Sequence, residues 1–107
     1  MSNKIKLSDF VFTDNLIGSR EIAKKLGRRH DQVSKHINKY RSDIENAEGS
    51  LICKKTATGG RPVDEFYLTK AQFYFMILLM ENRDKTVELK FQIVQEYMDK
   101  RKRLFGY

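Results

Sequence analysis

The residues best suited to chemistry lie between Arg20 and Arg41, where eight basic side chains (Arg20, Lys24, Lys25, Arg28, Arg29, Lys35, Lys39 and Arg41) face only two acidic ones, Glu21 and Asp31. That window carries net +6 of the chain's formal +7, with a sequence pI near 9.6. Guanidinium and ammonium groups at this density suit a polyanion, nucleic acid before a membrane surface. Arg28 and Arg29 stand beside Gly27, where a guanidinium reaches phosphates or a guanine edge. Gln32, Lys35, His36 and Lys39 follow at helical spacing, glutamine suiting adenine and lysine suiting guanine or phosphate. His30 completes this part of the DNA-contacting set. His30 and His36 are six apart, which is not a metal-ligand spacing on a helix, so a surface or capping role is the alternative for each.

These side chains need elements to hold them. Ser19 is the expected N-cap of a first helix, with Glu21 complementing the dipole in its first turn. Ile22, Ala23 and Leu26 form its apolar stripe, and Gly27 stands where a helix commonly ends in a left-handed residue. A second helix over about residues 29–42 is expected because Val33, Ile37, Tyr40 and Ile44 cluster on one face at 100° per residue. Its opposite face belongs to Asp31, Lys35, Asn38 and Lys39. Two short helices around a glycine, the second one basic, match a helix-turn-helix whose second helix enters the major groove while the first crosses the backbone.

Further along, LICKKTATGGRPVDEFYL reads as a β-hairpin with its tip at Gly59, Gly60, Arg61 and Pro62. As a wing it would bring Lys55 to the phosphate backbone and Arg61 into the minor groove. An ordinary hairpin loop is the alternative. Cys53 is expected as a half-buried strand residue. Thr69-Lys-Ala-Gln72 is a capping-box sequence opening the apolar run Phe73–Met80, a helix to be buried in the core or against a partner chain. A last helix from about Asp84–Thr86 repeats an apolar stripe at Val87, Phe91, Val94 and Met98 and ends in Lys100-Arg101-Lys102-Arg103. Phe10, Val11 and Phe12 suggest a short strand before the turn signal Thr13-Asp14-Asn15.

The expected fold is α+β, mostly α: a winged helix-turn-helix with a β-hairpin wing and two C-terminal helices. One domain over 1–107 is expected, with 13–69 as the helix-turn-helix and wing, and 70–107 as a helical core able to build a homodimer. A single cysteine allows no intrachain disulfide, and the run Phe73–Met80 is far short of the ~20 residues of a membrane span. No apolar signal segment opens the chain, so a soluble cytoplasmic protein is expected. Neither a phosphate-cradling glycine loop, a metal-ligand cluster nor a placed nucleophile and base can be picked out. No enzyme activity, cofactor, metal or small-molecule substrate is therefore expected.

SREIAKKLGRRHDQV, with GRPVDEFYLTKAQFYFMILLM and ELKFQIVQEYMDK after it, resembles the phage regulatory protein Rha family over roughly residues 13–103. The most specific pieces are Ser19-Arg20-Glu21-Ile22-Ala23, Arg29-His30-Asp31 with Val33, Tyr67-Leu68-Thr69-Lys70 and Glu88-Leu89-Lys90-Phe91. The resemblance implies a phage or prophage origin, a DNA-binding regulatory role and a winged-helix-like architecture. By position it carries Arg29, His30 and Asp31 onto the start of the second helix. The chain departs from the family where Asn82-Arg83-Asp84-Lys85 replaces a Gly-Lys-Lys-like step, and a role that needs an appended antirepressor-type domain is not expected. Two readings result: a sequence-specific regulator of double-stranded DNA, and a protein-interaction module, antirepressor-like, that occupies another regulator.

Overall fold

A computed structural model describes residues 5–57, 60 and 62–106, without the side chains of residues 56, 57 and 105. A 3₁₀ turn, Leu7–Asp9, leads to β1 (Ile17–Gly18), α1 (Ser19–Leu26), α2 (His30–Lys39) and α3 (Arg41–Glu48). The strands β2 (Ile52–Ala57) and β3 (Pro62–Leu68) follow, then α4 (Lys70–Leu78) and α5 (Asp84–Phe105). The architecture is α+β and mostly helical, as expected, with the two C-terminal helices in place.

The hairpin expected from the two apolar-bearing runs forms. β2 and β3 pair antiparallel from Ile52↔Tyr67 to Ala57↔Pro62, and β1 adds to the other edge of β3 through Ile17↔Leu68 and Gly18↔Tyr67. The sheet order is therefore β1-β3-β2. β2 is an edge strand beyond the helical cover, so Ile52, Cys53, Lys54 and Lys55 are all exposed. Cys53 is thus exposed rather than half-buried. Of the candidate wing residues, Lys55 lies on β2 and Arg61 lies outside the described residues.

Three other expectations need correction. The turn signal at Thr13-Asp14-Asn15 is real, since Asp14 and Asn15 take φ of 54° and 66° and Thr13 bridges Leu16. The strand, however, follows that turn instead of preceding it. Ser19 is not the N-cap of α1; Gly18 holds that place, and Ser19 is the first helical residue, fully buried. The helix expected over 29–42 is two helices: α2 ends at Lys39, Tyr40 takes φ −110° and ψ 24°, and α3 begins at Arg41. Ile44 thus belongs to α3, its phase matching α2 because Tyr40 keeps the chain on the same side.

The core is one cluster that runs across the whole chain. Ile22, Val33, Ile37, Ile44, Phe66, Phe73, Met76, Ile77 and Leu89 are buried together, with the rings of Phe10 and Phe12 packed on Phe73 at 4.8 and 5.8 Å. Thr69 opens α4 with the expected capping box: its Oγ1 accepts from Gln72 N–H at 3.3 Å, and its own N–H donates to Gln72 Oε1 at 3.0 Å. α4 packs on α3, α5 and β3, with Phe73, Met76 and Ile77 buried and Leu78 left exposed instead of buried on all sides. α5 is clamped to it at two points. Lys90 Nζ donates to Met80 O at 2.6 Å across the connecting turn, and Tyr74 OH donates to the Glu96 carboxylate at 2.9 Å. Burial and that carboxylate together push the Tyr74 phenol above its usual range. Among the described residues no helix is long and apolar enough to cross a membrane.

Candidate nucleic-acid interface

The basic face rests on how α1 stops. Gly27 takes φ 69° and ψ 32°, a left-handed conformation that costs an L-residue with a Cβ about 1–2 kcal/mol. With it, Arg28 N–H reaches back to Ala23 O at 2.9 Å and Gly27 N–H to Lys24 O at 3.2 Å, satisfying the last carbonyls of α1. Two residues later α2 begins. The turn is fixed by these bonds, so the direction of α2 relative to α1 is fixed as well.

A second device holds the start of α2. Ser19 Oγ accepts the buried Phe66 N–H at 3.0 Å and lies 2.7 Å from His30 Nε2. With the ring neutral and Nε2 unprotonated, the hydroxyl proton is donated to it, and one oxygen ties α1, β3 and α2 together. Ser34 Oγ stands 3.4 Å from the same nitrogen. Desolvation, with the Arg20 charge nearby, keeps the His30 pKa below its ordinary 6.5, which favours that neutral ring. His30 is therefore an internal latch at the first residue of α2. Sequence reasoning missed this role; Ser19 before an apolar stripe looks like a cap, and its partners lie 11 and 47 residues away.

Val33 and Ile37 are fully buried, and Asp31, Gln32, Lys35, Asn38 and Lys39 are exposed along the opposite face of α2. Gln32, Lys35 and Lys39 thus share one solvent-facing surface. Lys39 Nζ also sits 5.2 Å from the centroid of the Tyr40 ring. His36 is not on that surface. Its Nε2 lies 3.0 Å from Met76 O on α4, its ring meets Tyr40 edge-on at 5.1 Å, and burial holds its pKa below the ordinary value. Arg29 is exposed and forks onto Asp31, with Nε to Oδ1 at 3.1 Å and Nη2 to Oδ2 at 2.9 Å. That hydrogen-bonded guanidinium depresses the Asp31 pKa. So open an ion pair is weak enough for Arg29 to exchange Asp31 for a phosphate.

The structure adds basic groups that the sequence did not connect to this face. The N-terminus of α5 abuts the α1–α2 turn, where Arg28, Arg83 and Lys85 line a shallow groove of about 450 Å³ with Gly27 and Asp84. A Cβ on Gly27 would stand 3.1 Å from Lys85 Nζ. The departing segment Asn82-Arg83-Asp84-Lys85 therefore ends beside the turn that carries the basic pair. Among the described residues no group of three or more His, Cys, Asp or Glu side chains is placed to hold a metal ion.

The family model for the phage regulatory protein Rha matches residues 17–101, from β1 through most of α5. The chain belongs to the phage regulatory protein Rha family. It is a phage regulatory protein. The match takes in the Gly27 turn, the Ser19–His30–Phe66 latch, the hairpin and the α4–α5 pair as one unit. No curated protein and no solved structure matches the chain.

Proposed function

We propose that this Rha-family protein regulates phage or prophage genes by binding duplex DNA in a sequence-specific manner. α2 lies in the major groove, α1 crosses the backbone as in a helix-turn-helix, and the β2–β3 hairpin acts as a wing. The observation that carries the reading is the exposed face Gln32, Lys35, Asn38 and Lys39, on a helix whose direction is set by a left-handed glycine and a half-buried serine–histidine latch. Gln32 and Lys35 take the base edges, and Arg28, Arg29, Lys39 and Lys55 take phosphates. His30 and His36 act by holding α2 in place instead of touching bases. Arg28, Arg83 and Lys85 extend the positive surface past the turn, which widens the track available to a sugar–phosphate backbone.

The test is selection of bound sites from random duplex DNA, followed by gel shifts of the enriched site. A recurrent motif whose affinity falls steeply with salt, near −0.9 in log–log slope for each neutralised phosphate, is the expected result. Absence of any enriched motif, with retention by regulator proteins alone, would favour the antirepressor-like reading.

A further inference from the structure

α5 carries two apolar faces on opposite sides. Leu89 and Ile93 turn inward and are buried in the core, whereas Val87, Phe91, Val94 and Met98 are 48%, 63%, 54% and 52% exposed. Their spacing of four, three and four residues is a heptad stripe, the pattern that packs one helix against another. Tyr97 and Leu104, 62% and 75% exposed, flank it. Together these six side chains leave on the order of 600 Å² of apolar surface in water, the upper end of what a monomer shows and most of the roughly 800 Å² per partner that a stable interface takes. α5 is also longer than the body it packs on. Its 22 residues span about 33 Å, and past Glu96 every described side chain is exposed, a two-turn extension that an isolated chain supports poorly.

The same heptad frame runs one step further at each end, to Asp84 and to Arg101, both exposed. Aligned parallel, two α5 helices would set Asp84 against Asp84 and Arg101 against Arg101. Aligned antiparallel about the middle of the stripe, Phe91 meets Val94, Val87 meets Met98, and Asp84 of each copy meets Arg101 of the other. Like charges oppose the first arrangement and opposite charges close both ends of the second.

We propose that the exposed face of α5 is an antiparallel homodimer interface, with a second copy of this chain as its occupant and the Asp84–Arg101 pairs setting its direction. Within the region 70–107 expected to build a homodimer, this assigns the contact to α5; the Phe73–Met80 run puts Phe73, Met76, Ile77 and Met80 into the chain's own core and leaves Leu78 exposed. The inference does not depend on DNA binding.

The experiment is sedimentation equilibrium of the whole chain and of four variants, with circular dichroism confirming helical content. Wild type is expected at twice 12.6 kDa. Phe91→Glu, at a site already exposed to water, is expected to keep the fold and raise the dimer dissociation constant by about tenfold or more. Asp84→Arg and Arg101→Asp are each expected to weaken association, and the double exchange to restore it. A wild type that stays monomeric at high micromolar concentration overturns the proposal, as does a dimer indifferent to Phe91→Glu. A double exchange no tighter than the single variants overturns the antiparallel arrangement.

Discussion

Replacing Ser19 by alanine deletes one oxygen and almost no volume, yet that oxygen serves three elements. It accepts the Phe66 N–H at 3.0 Å and meets His30 Nε2 at 2.7 Å from a fully buried position in the first turn of α1. Without it the Phe66 donor is left unsatisfied away from water, at a cost of about 1–3 kcal/mol. Alanine's better helix propensity returns only a few tenths of that. The net loss corresponds to a fall in Tm of about 5–15 °C for a chain of this size. The second consequence is specific to the latch. His30→Ala removes the other end of the same contact, so the two substitutions together are expected to cost less than their sum, with a coupling of about 0.5–3 kcal/mol in a double-mutant cycle. Urea unfolding of wild type, Ser19→Ala, His30→Ala and the double variant measures both quantities. A Ser19→Ala variant within about 0.3 kcal/mol of wild type, or strict additivity, would refute the argument that Ser19 joins α1, β3 and α2.

The other expectations concern the turn, the core and pH. Gly27→Ala, at φ 69°, is expected to destabilise by about 1–2 kcal/mol in denaturant titration, with Lys85 Nζ moving aside; a neutral or stabilising outcome would contradict the left-handed turn. Phe73→Ala removes a fully buried ring that packs against Phe10 and Phe12, and should cost about 3–5 kcal/mol by urea unfolding. His30 and His36 both have pKa values below 6.5 in the fold, so the unfolded chain binds protons more readily. Their contribution to stability is accordingly full above that pH and lost as the pH falls from 6.5 through the lower folded values. Tm measured from pH 8 to 5 should decline on the acid side, and less steeply for His36→Gln; a profile unchanged by that substitution would count against the account.

What the sequence revealed and what it concealed divide along the range of the interactions. The Gly27 stop, the Thr69–Gln72 capping box and the start of α5 depend on neighbours within one turn, and each is visible in residue order. The break at Tyr40 is not, because no glycine or proline marks it and Val33, Ile37, Tyr40 and Ile44 stay in phase through it. His36 sits on a flank that periodicity leaves undecided; a carbonyl 40 residues away on α4 draws it inward. Apolar counting found the Val87–Met98 stripe. It could not tell which of the two apolar faces of α5 meets the core, since that choice is made by the packing of α5 on α4 and the turn that Lys90 clamps. Within the candidate site the exposed face of α2 was legible from spacing alone. The approach of Arg83 and Lys85 to Arg28 was not, because it is made by the fold.

The central claim is that the exposed face of α2 contacts DNA, and Lys35 and Lys39 test it with least risk to the fold because both are exposed. Fluorescence anisotropy with a labelled duplex carrying the selected site, titrated from about 50 to 200 mM salt, gives the log–log slope for wild type and for Lys35→Ala with Lys39→Ala. If both ammonium groups meet the duplex, the variant binds more weakly at every salt concentration and its slope is shallower by about 1–2. Equal affinity and equal slope for the two proteins would contradict the assignment of this face.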